Sequence, residues 1–216
     1  MMKFAKEQID SLRLEVEKRL SKKRFEHTLG VEKMAVLIGE KVMPESVDRL
    51  RVAALLHDIS KEYSEAEYFL TIKKHNLTLT EEDLATPPLW HSITAPGVVA
   101  DEFSEYADED VLSAVYNHTV GSPDMSVFDE IILLSDYIEE GRQYKTCIDL
   151  REKFLADLAA TEASDEAVLA LHVAVAESLT NNINEFVSRG KSFHKRTGET
   201  RDAILAKTER QNNGKH

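Results

Sequence analysis

The segment LLHDISK, residues 55–61, sets His57 and Asp58 at the end of an apolar run, RVAALL, that otherwise reads as the buried face of a helix. A carboxylate taken out of water without a partner is costly, and the partner that satisfies an imidazole and a carboxylate together is a cation. Further ligands are available. His27, in RFEHTLGVEKMAVLIG, lies in line with Val31, Met34 and Ile38, and His118 closes VLSAVYNH in line with Val111 and Val115. Asp136 follows Phe128 and Ile132 at helical spacing, and His91 opens the segment after the Pro87-Pro88 turn. One inward histidine reads most simply as a hydrogen-bonded core residue, and one inward aspartate as a cap or an ion-pair partner. Four imidazoles and two carboxylates on apolar faces have one economical cause, a shared metal centre.

Imidazole nitrogen and carboxylate oxygen make a borderline donor set, suited to iron, manganese, zinc, cobalt or nickel and unlike the sites calcium or magnesium usually occupy. Six ligands exceed what one tetrahedral ion with an open position uses, so two ions sharing a bridging carboxylate is the expected arrangement. Adjacent helical residues differ in direction by about a hundred degrees. His57 and Asp58 can therefore bind one ion and leave an Asp58 oxygen for a neighbour.

The elements that must position these residues are helices. Ile9, Leu12, Val16 and Leu20 recur at three- and four-residue steps, and strand-like alternation is scarce. The pattern predicts an all-α fold. A second helix is expected from about Lys23 to Lys41, a third ending near Ile59, and a fourth from Ser64 to His75 with a Ser64–Glu67 capping box. More follow at about Ile93–Phe103, Asp108–His118, Met125–Glu140, Lys145–Ala160 and Glu166–Val187. Pro96 has to lie in the first turn of its helix or kink it. From Ser188 onward apolar residues thin out, so the expected division is a helical domain over residues 1–187 and a loose tail over 188–216.

Composition narrows the function. The 216 residues carry a formal charge of -12, which argues against nucleic acid as a partner, because phosphodiester polymers are held by clustered Lys and Arg. Cys147 is the single cysteine, excluding an internal disulfide framework and a thiolate cluster and suiting a reducing compartment. No apolar run approaches the ~20 residues of a membrane span, and MMKFAKEQID lacks the apolar centre of a signal peptide. A cytoplasmic protein without a membrane partner is expected.

The ordered set RFEHTLGV, LLHDISK, LWHS, NHTVG and LSDYIEEGR, spanning Arg24 to Arg142, resembles the HD-domain metal phosphohydrolases, and more narrowly the YqeK-type symmetrical bis(5'-nucleosyl)-tetraphosphatases. The resemblance implies an HD-domain helical bundle with a dinuclear site in its core. By motif, His27, His57, Asp58 and Asp136 would hold one ion, and His91 and His118, with Asp58 bridging, the other; iron is the family's common metal. Lys61 and Arg142 would face substrate phosphate, His91 and His118 would border the substrate, and Asp58 would accept or orient a proton. The implied reaction is cleavage of diadenosine tetraphosphate to two ADP by a hydroxide held between the ions. The partner expected is a small nucleotide, and a homodimer is left open. Where the subfamily shows a second Thr in HTTG this chain has Val120, and Glu140 stands where a proline precedes Gly-Arg, departures that bear on substrate choice and spare every ligand. Competing readings are another HD-domain nucleotide phosphohydrolase, either a phosphomonoesterase or a nucleoside triphosphate hydrolase, and a non-catalytic metal-containing nucleotide-binding regulator. Trp90 and Tyr137 could stack an adenine, with core packing as the simpler role, and the acidic stretch around EEGR reads as solvated surface.

Overall fold

Apolar residues at three- and four-residue steps give each long helix a face to bury, and the chain assembles around those faces. The computed structural model describes residues 3–213. The first helices are α1 (Lys6–Arg19), α2 (Lys22–Val42), α3 (Val47–Leu56), α4 (Glu65–Lys74) and α5 (Glu81–Leu84). They are followed by α6 (Trp90–Glu102), α7 (Glu109–Asn117), α8 (Val127–Ile138), α9 (Lys145–Ala160), α10 (Ser164–Ser188) and α11 (Lys195–Asn213). Among the described residues there is no strand, so the all-α expectation holds.

The centre of the bundle is α2 against α3 and α8, with α7 packed on both α3 and α8 and α10 running across α2, α8 and α9. Val31, Ile38, Leu50, Leu55, Leu56, Ile132 and Leu134 have no exposed surface. Each such aliphatic side chain stabilises the fold by about 1.5–3 kcal/mol through lost contact with water. That rigid seam fixes where the helix ends point.

Local sequence sets the boundaries. Glu67 N–H donates to Ser64 Oγ and Ser64 N–H donates to the Glu67 carboxylate, closing the expected capping box at the start of α4. Helix α3 stops at Leu56 rather than near Ile59, so His57 and Asp58 occupy the tight turn that follows it. Pro96 falls in the second turn of α6, not the first, and leaves the Ser92 carbonyl without its usual N–H donor. Trp90 is core: it is buried, packs edge-on against Tyr68 and Phe69, and donates its Nε1–H to the Asp83 carbonyl.

The expectation of a loose tail after Ser188 is corrected by α11. Thr197, Thr200 and Ile204, at three- and four-residue steps, are buried, and Lys207 one turn on reaches across to Glu130 of α8. Helix α11 packs along α10, and what it buries is Ile204 together with the threonines Thr197 and Thr200. No helix among the described residues is long and apolar enough to cross a membrane.

Candidate metal centre

Helix ends converge on one point. His57 is the C-cap of α3, His118 the C-cap of α7, and Asp136 lies in the last turn of α8. Each of these ends carries carbonyls without an intrahelical partner and the negative pole of the helix dipole, a setting that favours a cation. His91 is the second residue of α6, and His27 projects from the first half of α2.

The orphan carbonyls also orient the rings. His57 donates its Nδ1–H to Ala54 O (2.7 Å), His91 to Pro88 O (2.7 Å) and His118 to Val115 O (2.8 Å), each three residues back. A proton committed to Nδ1 leaves the lone pair on Nε2, the atom each ring turns into the cluster. His91 Nε2 and His118 Nε2 are 3.0 Å apart. Burial pushes the pKa of His118 down, and burial together with Lys61 and His118 pushes that of His91 well down. With their protons on Nδ1, two such nitrogens facing each other at that range cannot hydrogen-bond to one another, and the donor beside them is Lys61 Nζ, 3.0 Å from His91 Nε2.

Asp58 divides the cluster in two. Its Oδ1 lies 3.2 Å from His91 Nε2 and 3.6 Å from His118 Nε2, while Oδ2 lies 3.5 Å from His57 Nε2 and 3.8 Å from His27 Nε2. Burial works to raise its pKa, yet His57, His118 and Lys61 hold it well below the usual carboxylate range. Asp136 Oδ1 approaches His27 Nε2 at 2.9 Å but off the hydrogen-bond direction, and His27 Nε2 and His57 Nε2 are buried without a hydrogen-bond partner. Two ligand groups result, His27–His57–Asp136 and Asp58–His91–His118, with the donor atoms of each within 4.8 Å of one another. Buried ring nitrogens without a hydrogen-bond partner, interleaved with ionised carboxylates, are the donor chemistry of a divalent transition metal. The residues fit such ions.

All six sequence-predicted ligands are therefore brought together. The predicted cations are near them but occupied. Lys61 Nζ sits 3.0 Å from His91 Nε2 and 3.9 Å from Asp58 Oδ1. Arg142 donates through Nη2 to Asp136 Oδ1 (2.5 Å) and through Nε to the Asp136 carbonyl (2.9 Å).

Two residues escape sequence reasoning. Arg24 donates to Asp58 Oδ2 at 2.8 Å; its place in RFEHT, three residues before His27, is a signal of a shared helical face. Glu139, read from sequence as surface, is 3% exposed and 3.1 Å from His27 Nδ1, whereas its neighbour Glu140 is the solvated residue, paired with Lys33. The i,i+3 relation of Asp136 to Glu139 is the signal that could have found it. Burial lowers His27, but the carboxylates of Asp136 and Glu139 outweigh it and push the ring up to about 9: with no ion, the same charges hold a proton there.

A cleft of about 770 Å³ opens over the His27 side, lined by Lys23, Arg24, Arg142 and Tyr144 among others. Arg24 and Arg142, each about a third exposed, bring positive charge to its wall, and Lys61, equally exposed, lies beside Asp58 and His91.

The HD domain family model matches residues 24–164. The symmetrical bis(5'-nucleosyl)-tetraphosphatase of Bacillus subtilis is 30% identical over 143 residues, covering 66% of this chain and 75% of the relative. The protein of the same name from Halalkalibacterium halodurans is 28% identical over 192 residues, covering 88% of this chain and 93% of its own. Among solved structures, an HD superfamily hydrolase described as involved in NAD metabolism, from Clostridium acetobutylicum, superposes with a TM-score of 0.78 at 28% identity, over 92% of this chain and 97% of that one.

Proposed function

The chain belongs to the HD domain family, and from that premise we infer that it is a metal-dependent phosphoanhydride hydrolase that cleaves diadenosine tetraphosphate symmetrically to two ADP. The observation that carries the reading is the division of Asp58: one carboxylate offers one oxygen to His91 and His118 and the other to His57 and His27. In this proposal His27, His57, Asp58 and Asp136 hold one ion, and His91, His118 and the shared Asp58 hold the second. Iron is the metal the family resemblance implies, and manganese, cobalt, nickel and zinc suit the same donors. When bound, such ions supply positive charge to phosphoryl oxygens and lower the pKa of a water from ~15.7 toward ~7.

The chain's own residues supply position and charge. Arg24, Lys61 and Arg142 stand where a polyphosphate entering the cleft would bring its oxygens, and a guanidinium fork matches a phosphate edge. Their present partners, the carboxylates of Asp58 and Asp136, are residues that ions would also neutralise, which frees the cations for substrate. Asp58, ionised and buried, can accept or orient a proton at the reaction centre. Registering the chain of four phosphates on three fixed cations decides which anhydride lies over the ions. The lone buried Cys147 fits a cytoplasmic setting.

Chromatography of products from metal-replete protein and diadenosine tetraphosphate tests the reading. ADP as sole product is expected. AMP with ATP would contradict symmetrical cleavage, and tight binding without turnover would favour the regulator.

A further inference from the structure

Glu139 is a buried carboxylate that the ligand set does not use. Three of the four imidazoles take their orientation from a backbone carbonyl at a helix end. His27 cannot, because it lies inside α2, where each carbonyl already accepts from the N–H four residues on. Its Nδ1 needs an acceptor from another element, and the first residue after α8 supplies one: Glu139 Oε1 at 3.1 Å.

The surroundings are shaped to admit that carboxylate. A Cβ on Gly30, one turn beyond His27 on α2, would lie 2.4 Å from Glu139 Oε2, and a Cβ on Gly141 would lie 2.9 Å from both carboxylate oxygens. Gly141 N–H donates to Oε2 (2.5 Å). The turn itself does not depend on the carboxylate, since Arg151 Nη1 donates to the carbonyls of Ile138 and Glu139 (3.1 and 2.8 Å).

We infer that Glu139 is a positioning residue for the ion-binding ring of His27, held in a slot that Gly30 and Gly141 keep open. The assignment rests on the metal reading above. A carboxylate on Nδ1 fixes the ring's tautomer and angle and raises the basicity of Nε2, and loss of such a partner typically weakens metal affinity by 10–100-fold.

The test is titration of metal-stripped full-length protein with Mn²⁺, counting free ion by electron paramagnetic resonance, alongside melting of the metal-free forms. Glu139→Ala should weaken one of two ions by about 10–100-fold and leave the other unchanged. Glu139→Gln, whose amide oxygen still accepts from Nδ1–H, should lose less. Gly30→Ala, at a position that touches neither ion nor ligand ring, should weaken the same ion, and should add little in the Glu139→Ala background. Glu139→Ala with both ions at wild-type affinity overturns the inference, as does equal weakening of both ions together with a large fall in melting temperature. Wild-type protein that takes up no Mn²⁺ overturns the metal reading beneath it, and the inference with it.

Discussion

Lys207→Met tests whether α11 is part of the folded unit. Lys207 Nζ donates to Glu130 Oε1 (2.9 Å) and to the Met125 carbonyl (2.8 Å), and Glu130, with no exposed surface, meets His172 Nδ1 of α10 on its other oxygen at 2.5 Å. Removing one partner of a buried ion pair costs about 3–5 kcal/mol, because the remaining charge is left uncompensated. Lys207 is 26% exposed, so water and His172 recover part of that, and methionine keeps the aliphatic packing; about 2–3 kcal/mol remains. At roughly 2–4 °C per kcal/mol for a chain of this size, the melting temperature should fall by about 5–10 °C. Lys195→Met on the same helix removes an exposed i,i+4 pair with Glu199 and should leave the melting temperature nearly unchanged. Thermal melting of both variants by circular dichroism reads the difference. A Lys207→Met protein that melts like Lys195→Met would show that the contact carries no stability and that α11 is held by Ile204 and its buried threonines instead.

Three further outcomes follow from the site. Asp58→Ala, which removes the oxygen facing each ligand group, should strip both ions from anaerobically purified protein, whereas His118→Ala should lose one; equal metal content in wild type and Asp58→Ala by elemental analysis would contradict a shared ligand. Arg24→Ala removes a cation from the wall of the cleft and should raise KM for diadenosine tetraphosphate by about tenfold, the size of one charge-assisted hydrogen bond, with an unchanged KM counting against a phosphate role. In metal-free protein, burial opposes the charge on Asp136 while Arg142 and His27 hold it well below the ordinary 3.8. A carboxylate depressed in the folded state contributes stability above its unfolded value and loses it as pH falls through the folded one, so melting temperature should drop below about pH 4 and Asp136→Asn should flatten that limb; parallel limbs would refute the pairing.

The candidate ligands were legible because each breaks a rule that the rest of its helix obeys. His27, His118 and Asp136 are polar residues at positions where three- and four-residue spacing demands an aliphatic, and the structure buries or half-buries all three around one point. The Ser64 cap was legible for a local reason, since a capping box is complete within four residues. What could not be read was chemistry fixed by tertiary contact. Glu139 looks like its exposed neighbour Glu140 until α2 is laid against α8 and Gly30 is seen to make room for one of them. Helix α11 was obscured because Thr197 and Thr200, which it buries beside Ile204, score as polar, and because a further anchor is a lysine whose partner lies 77 residues earlier.

The geometry also explains why this centre can be assembled from residues spread over more than half of the chain. A helix C-terminus has carbonyls to spare, and a histidine placed at its cap spends one of them on Nδ1 and presents Nε2 beyond the helix end. Packing α3 and α7 with their ends together thus aligns two such nitrogens without any further framework, and the apolar seam that fixes the helices fixes the ligands. His27 is the exception because it comes from a helix interior. It is also the one of these four imidazoles whose Nδ1 partner is a carboxylate, so in the proposed arrangement an ion held by His27 should respond to changes at Glu139 while one held by His91 and His118 should not.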